Sequence, residues 1–186
     1  HSDTALAQAK FKDYKIHLEK SQDDEDGMGK EEWRTIINKA IETNNFRFAS
    51  WTAVDAKAKK IAHHALSLTL QAEEKTYYYG QFMASANQVG LSSKIYQNIM
   101  KMMFQQPDLK LQGSVCSIRL SFEYVDMKET YTELSELLRN YARKLPFTLI
   151  VEIPDKMFRQ NSLQIKEYKA LFEKYNIDMG IYEFIG

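Results

Sequence analysis

The chain of 186 residues contains very little cysteine, proline or glycine, and no excess of charge of either sign. Its single cysteine, Cys116, cannot form an internal disulfide, so we expect a reducing compartment. Three prolines and seven glycines are too few for a collagen-like or disordered chain. Because 25 Lys and Arg balance 25 Asp and Glu, we expect no generic binding to nucleic acid or to anionic membranes.

Long hydrophobic runs are missing as well. No apolar run reaches the roughly 18–20 residues that span a bilayer, so we expect no membrane segment in this chain. The polar residues 1–4 are unlike the start of a signal peptide. We therefore expect a cytoplasmic chain, or the cytoplasmic part of a protein anchored through other segments. Because the sequence does not begin with Met, we expect a piece of a longer protein.

Hydrophobic residues make up 44% of the chain, which is enough for the core of about one domain. Their spacing predicts a series of helices and strands. The predicted helices cover residues 31–44, 81–89, 92–104, 126–145 and 162–175. The predicted strands cover residues 46–54, 60–70, 113–121, 147–153 and 179–185, the first two forming a hairpin.

From residue 80 onward the predicted helices and strands alternate. This order is typical of parallel strands joined by right-handed crossovers, and it predicts an α/β sheet or barrel. The run 147–153 is almost entirely apolar, as expected for a strand that is buried on both faces. At the other end of the chain, residues 3–12 favour an Ala-rich helix, and residues 21–30, with four acids and two glycines, are typical of a linker.

Charged residues lie near the ends of three predicted strands. In α/β folds the carboxyl ends of strands carry the functional site. Glu152 lies in the apolar run 147–153 and Glu183 near the end of the last strand, and both are as consistent with a site as with a structural ion pair. Arg119 either binds a phosphate or neutralises Glu152, and we favour neutralisation.

Other conspicuous residues favour structural roles. Adjacent side chains of a strand point to opposite faces, so His63 and His64 cannot both bind one metal ion from that strand. The apolar surroundings of Cys116 indicate a buried, inert thiol. The tyrosines at 77–79 favour packing over nucleotide stacking. The glycine-rich phosphate-binding motifs are absent from the sequence, so spacing alone predicts little beyond an α/β domain.

Several segments together resemble the EAL-domain family, whose barrels hydrolyse cyclic di-GMP in bacteria. The most specific match is 80–86 (GQFMASA) followed by Gly90-Leu91, which is similar to the family's G-x-F-[IM]-x-x-A…G-L. The strand 61–70 resembles the E-A-L strand. Three further segments resemble the family's S-[IV]-N-L-S, L-x-x-E-[IL]-[ST]-E and D-D-F-G motifs: 117–121 (SIRLS), 149–155 (LIVEIPD) and 181–184 (IYEF).

Residues 2–10 are similar to the A-D-x-A-L-Y-x-A-K helix that closes a GGDEF domain. The two resemblances occur in the order of the family's GGDEF–EAL tandem. They imply the end of a GGDEF-like domain at 1–20, an acidic linker at 21–30 and an EAL-like domain at 31–186. They also imply a partial (β/α)₈ TIM-type barrel, because we count five strands from Phe46 onward where such a barrel has about eight.

The sequence departs from the family at the residues that bind its divalent cations. The E-A-L glutamate aligns with Ala65, or with His64 in a register shifted by one residue. The metal-binding Asn aligns with Arg119, and the acidic pair with Tyr182 and Glu183. The resemblance therefore implies that the chain has lost most of the family's metal ligands.

Few of the family's remaining ligands are retained. Glu152 is kept, Asp155 is a shortened version of the second glutamate, and the phosphate-binding Arg is replaced by Thr69. The resemblance thus implies a metal remnant of Glu152 and Asp155, no catalytic residues, and ligand-binding candidates Arg119, Glu152 and Glu183.

From this pattern we expect a non-catalytic domain in cyclic di-GMP signalling, acting as a nucleotide receptor or as a protein-interaction module. Its partners would be cyclic di-GMP, another protein, or a second copy of the chain in a homodimer. The alternative is an active phosphodiesterase with an atypical Mg²⁺ or Mn²⁺ site. In the favoured hypothesis the domain has no cofactor.

Overall fold

A computed structural model of the chain describes residues 28–55 and 60–183. The predicted helix at 3–12 and most of the predicted linker at 21–30 lie outside these residues. The structure divides into two compact units, with the boundary between Ser92 and Ser93. We call the part up to Ser92 the hairpin unit and the part from Ser93 onward the parallel unit.

The hairpin unit is built around antiparallel strands. Helix α1 is followed by the paired strands β1 and β2, a short strand β3 that pairs with β2, and helix α2. The predicted hairpin is confirmed, with Phe46 opposite Leu70, whereas β3 was not predicted. The bounds are α1 Lys30–Glu42, β1 Phe46–Asp55, β2 Lys60–Ala72, β3 Lys75–Tyr78 and α2 Tyr79–Gln88.

An aromatic core holds the hairpin unit together. Helix α1 buries Trp33, whose ring lies edge-on to that of Tyr77 with centroids 5.2 Å apart. Phe46 of β1 and Phe82 of α2 are fully buried, and their ring centroids are 5.9 Å apart. Such pairs add about 0.5–1.5 kcal/mol to the burial of their area. The predicted packing role of the tyrosine run is therefore confirmed at Tyr77.

The parallel unit alternates strands and helices. Helix α3 crosses the boundary between the units, and the remaining elements follow from β4 onward. The bounds are α3 Ser92–Gln105, β4 Val115–Arg119, α4 Phe122–Asp126, α5 Lys128–Tyr141, β5 Thr148–Pro154, α6 Asp155–Gln160, α7 Ser162–Lys174 and β6 Asp178–Tyr182. Short 3₁₀ turns lie at Leu109–Leu111 and Ala142–Lys144.

The three strands of the parallel unit are adjacent in the order β4, β5, β6. Both neighbouring pairs are parallel, with Arg119 opposite Glu152 and Glu152 opposite Gly180. The predicted α/β fold with parallel strands is confirmed. The sheet does not close on itself within the described residues, in keeping with a partial barrel.

The helix predicted at 126–145 is present as α5, Lys128–Tyr141, followed by the 3₁₀ turn Ala142–Lys144, whereas the short helix α4 before it was not predicted. Met127 is extended (φ −66°, ψ 134°) and separates α4 from α5. The hydroxyl of Thr130 donates to the carbonyl of Tyr124 across this break. Helix α6 was not predicted. Strand β5 is not buried on both faces: Leu149, Val151 and Ile153 are buried, whereas Ile150 and Glu152 are only half-buried.

The interior of the parallel unit contains three ionisable groups that burial keeps neutral. Cys116 on β4 is fully buried, and burial raises the pKa of its thiol from 9.0 to about 11. Burial also raises the pKa of Tyr124 and of Tyr168 well above the usual value for tyrosine. The predicted burial of the thiol is confirmed, and its inertness stays a prediction.

Candidate functional site

The carboxyl ends of β4, β5 and β6 bring three side chains onto one face of the sheet. Arg119, Glu152 and Gly180 occupy one row of the parallel register, so their side-chain positions share a face. Tyr182 lies two residues beyond Gly180 and therefore points to the same face. A Cβ at Gly180 would lie 3.5 Å from Cγ of Glu152, an ordinary van der Waals contact.

Arg119 and Glu152 form an ion pair across β4 and β5. The Nε of Arg119 lies 3.2 Å from Oε2 of Glu152. The arginine side chain is 64% exposed and the glutamate side chain 21% exposed, so solvent screens the pair on one side. Of the two roles open to Arg119 from the sequence, neutralisation of Glu152 is therefore present in the structure.

The guanidinium group of Arg119 also lies over an aromatic ring. Its Cζ is 5.0 Å from the ring centroid of Tyr182, within the range of a cation–π interaction. The hydroxyl of Tyr182 donates to the carbonyl of Leu120 at 2.7 Å, which fixes the ring at the end of β4. The sequence marked Tyr182 only as the place of a lost acid. Its role beside Arg119 depends on strand register, which the sequence does not give.

Backbone hydrogen bonds hold the end of β4 in place. The hydroxyl of Tyr96 donates to the carbonyl of Arg119 at 3.2 Å, and the N–H of Leu120 donates to the carbonyl of Glu152 at 3.0 Å. Tyr96 is buried and stacks on Tyr124, with ring centroids 5.6 Å apart. The arginine therefore extends from a rigid backbone although its own side chain is exposed.

The other predicted acids have different surroundings. Asp155, the first residue of α6, pairs with Arg159 one turn along the same helix at 3.2 Å. Glu183 is exposed and follows directly after β6. The structure thus brings Arg119 and Glu152 together and directs Asp155 to a partner on its own helix. The binding roles of Arg119, Glu152 and Glu183 remain predictions.

A second cation lies at the same end of the parallel unit. Lys156, the second residue of α6, places its Nζ 4.2 Å from the ring centroid of Phe122. Phe122 begins α4 directly after β4, and α6 begins directly after β5. Two cations, Arg119 and Lys156, are therefore held against aromatic rings at the carboxyl ends of neighbouring strands. The sequence analysis did not single out Lys156.

Divalent cations of the Mg²⁺ type require several oxygen ligands. Within the described parts of the chain there is no group of three or more His, Cys, Asp or Glu side chains that could hold a metal ion. Glu152 is engaged by the guanidinium of Arg119, and Asp155 by that of Arg159. Glu152 and Asp155 do not fit a divalent cation, since each already faces a cation of the protein.

In the hairpin unit, the residues that align with the E-A-L strand lie on β2. His64 pairs with Thr52 and Ala65 with Trp51 in the hairpin register. The Nδ1 of His64 is buried and has no hydrogen-bond partner among the described residues. The hydroxyl of Thr69 donates to the carbonyl of Arg47 at 3.3 Å, so it supports the hairpin backbone.

Among the described residues, no helix has the length and apolar character needed to cross a bilayer.

No protein-family model and no curated protein matches the sequence. Solved structures do match. A Vibrio cholerae LapD fragment containing an S helix, GGDEF and EAL segments, bound to c-di-GMP, is 19% identical with a TM-score of 0.69. The match covers 83% of this chain and 37% of that one. The Xanthomonas citri FimX EAL domain in complex with c-di-GMP is 14% identical with a TM-score of 0.65, and the match covers 82% of this chain and 60% of that one. The Bacillus subtilis YkuI protein, with an EAL domain and in complex with substrate c-di-GMP and calcium, is 15% identical with a TM-score of 0.57. That match covers 86% of this chain and 39% of that one.

These likenesses establish the fold. The described chain has the α/β fold of EAL domains, and the resemblance inferred from the sequence is confirmed at the level of the fold. The chain spans well under half the length of the LapD fragment.

Proposed function

We propose that the chain belongs to the EAL family and acts in cyclic di-GMP signalling as a non-catalytic domain that binds the nucleotide. The fold and the segment resemblances support family membership. The LapD and FimX structures contain bound c-di-GMP, which makes this nucleotide the first ligand to test. In this proposal residues 1–20 belong to a preceding GGDEF-like domain, and the domain works in the cytoplasm.

The observation that carries the proposal is the ion pair between Arg119 and Glu152. By the resemblance, Arg119 stands where the family has a metal-binding Asn, and Glu152 is the metal ligand that the chain retains. In the structure the guanidinium lies 3.2 Å from the glutamate. A fixed positive charge therefore occupies the surroundings of the retained ligand.

The loss of hydrolysis follows from electrostatics. EAL chemistry needs divalent cations to activate a water for attack on a phosphodiester. Disturbing even the groups that orient a metal ligand commonly reduces affinity or activity 10–100-fold. Here Arg119 also repels any cation brought close to Glu152. Several such changes together predict no measurable turnover.

An assay of cyclic di-GMP hydrolysis tests the proposal. The chain is incubated with the nucleotide and Mg²⁺ or Mn²⁺, and the linear product is measured by chromatography. We expect no product above a metal-free control, with an intact EAL phosphodiesterase as positive control. Sustained turnover that EDTA abolishes would overturn the proposal in favour of the active phosphodiesterase.

Calorimetric titration with cyclic di-GMP separates the two non-catalytic roles. We expect heat of binding with a micromolar dissociation constant, as for a receptor. Absence of a measurable heat of binding would contradict the receptor role. It would leave the role of a protein-interaction module, whose partner would be another protein or a second copy of the chain.

A further inference from the structure

The guanidinium of Arg119 has a carboxylate and an aromatic ring as neighbours in the described part of the chain. Its Nε lies 3.2 Å from Oε2 of Glu152, and its Cζ lies over the ring of Tyr182, 5.0 Å from the ring centroid. The Nη nitrogens have no hydrogen-bond partner among the residues that the structure describes. Because the side chain is 64% exposed, these nitrogens can reach a ligand from solvent.

This arrangement suits an oxyanion. A guanidinium presents parallel N–H donors that match two oxygens of a phosphate, and such charge-assisted bonds are stronger than neutral ones. The contacts with Glu152 and Tyr182 restrict the arginine before a ligand arrives, so less side-chain entropy is lost on binding. An exposed arginine without such contacts would sample many rotamers.

Cations and acids are about equally numerous around this arginine, so the donors of its guanidinium, rather than a net positive charge, favour an anion. Lys156 lies at the neighbouring strand end, over Phe122. The negative charge of Glu152 faces Arg119, and that of Asp155 faces Arg159. Glu123, the second residue of α4, and Glu183 are further exposed acids at this edge.

We propose that Arg119, supported by Tyr182, binds a phosphodiester group directly and takes the electrostatic role of a divalent cation in this chain. The ligand class is a phosphodiester monoanion, as found in a cyclic dinucleotide. Tyr182 is a positioning residue, since it acts on the ligand through Arg119. The proposal rests on the proposed function, because it names the group that receives the nucleotide's phosphate.

Titration calorimetry with cyclic di-GMP in EDTA tests this site on the whole chain. The unmodified chain should bind equally well, within about twofold, in EDTA and in Mg²⁺. R119A should lower the affinity roughly 10–100-fold, as expected for a lost hydrogen bond between charged groups. R119K should recover only part of the loss, since an ammonium group lacks the planar pair of donors.

Matched variants distinguish a loss of affinity caused by the Arg119 site from a loss caused by a general change in charge or folding. R34A removes an arginine that pairs with a carboxylate on α1, Glu31 at 3.5 Å, and should leave the affinity unchanged. Y182F keeps the ring and removes the hydroxyl bond to Leu120, and Y182A removes both, so the loss of affinity should grow from Y182F to Y182A. Circular dichroism and urea unfolding verify that each variant is folded.

The outcomes distinguish this inference from the function on which it rests. Binding by the unmodified chain with equal affinity in R119A would overturn the inference and leave the receptor role intact. A requirement for Mg²⁺ in binding would also overturn it. Absence of binding by the unmodified chain in both buffers would overturn the receptor role and the inference together.

Discussion

Tyr168 lies in the interior of the parallel unit and Tyr182 at the carboxyl edge of its sheet. Both are anchored by a hydrogen bond from the hydroxyl to a backbone carbonyl, but their rings have different roles. Tyr168 is fully buried, and its hydroxyl donates to the carbonyl of Val125 at 3.3 Å. Tyr182 is half-buried, and its hydroxyl donates to the carbonyl of Leu120 at 2.7 Å. The Tyr168 ring packs against other rings, whereas the Tyr182 ring supports a charged side chain. The buried tyrosine therefore serves mainly to stabilise the unit, whereas the half-buried one lies where a ligand can reach its neighbour Arg119.

The largest expected difference between the two regions is in stability. Y168A removes a fully buried ring that packs on Tyr131 and Phe172, and it should lower the free energy of unfolding by about 3–5 kcal/mol. Y182A at the half-buried edge should lower it by about 1–2 kcal/mol, the size of one hydrogen bond and partial burial. Urea unfolding measures both. Equal losses would contradict the division between interior and edge.

A chemical probe of the interior is the reactivity of Cys116. At pH 8 a thiol with a pKa of about 11 is ionised roughly 100-fold less than one at 9.0. Alkylation by iodoacetamide should therefore be at least about 100-fold slower in the folded chain than in urea. The rate is measured by mass spectrometry. A rate within about tenfold of the unfolded chain would show that the thiol is not sequestered.

The buried Tyr168 should also make the free energy of unfolding decrease at high pH. Burial raises the pKa of Tyr168 above its ordinary value of 10.0, so the folded state holds that proton more tightly than the unfolded state. Stability is fully present below pH 10 and falls as the pH rises further, by at most about 1.4 kcal/mol per pH unit for this group. Urea midpoints measured from pH 8 to 11.5 give the slope. In Y168F the slope should be shallower, and an unchanged slope would remove Tyr168 as its cause.

The smallest effect is expected at the edge, at Gly180. A Cβ placed there would lie 3.5 Å from Cγ of Glu152, an ordinary van der Waals contact. G180A should therefore be neutral or stabilise the chain by up to about 1 kcal/mol, because alanine restricts the unfolded chain. Thermal unfolding measures this change. G180L is the control, because its larger side chain is expected to disturb Glu152 and destabilise the chain. A clear destabilisation by G180A itself would contradict the prediction and mean that the row of side chains is more crowded than its geometry indicates.

Much of the fold was predictable because its signals are local. The periodicity of the residues in α1, α3 and α7 and the alternation in β1 and β2 come from neighbours in sequence, and the structure confirms all five elements. The short helix α4 was not predictable from periodicity, because its five residues span little more than one helical turn. The hydroxyl of Thr130 donates to the carbonyl of Tyr124 across the junction between α4 and α5.

The candidate site was predictable only in part. The pairing of Arg119 with Glu152 follows from two charged residues near the ends of predicted neighbouring strands. The contribution of Tyr182 depends on the register of β5 and β6. The contact of Lys156 with the Phe122 ring likewise depends on α6, the helix that carries Lys156 and that the sequence did not predict. Pairwise geometry of this kind is set by the assembled sheet.

The site at the sheet edge joins residues that are far apart along the chain. Arg119 is 33 residues from Glu152, and Leu120 is 62 residues from Tyr182. Contacts of such separation form only after long loops have closed. A growing polypeptide would therefore lack the contact between Arg119 and Tyr182 until β6 had been synthesised and docked. Transient fraying of β6 would remove this contact and leave the pair of Arg119 with Glu152 on the two strands beside it.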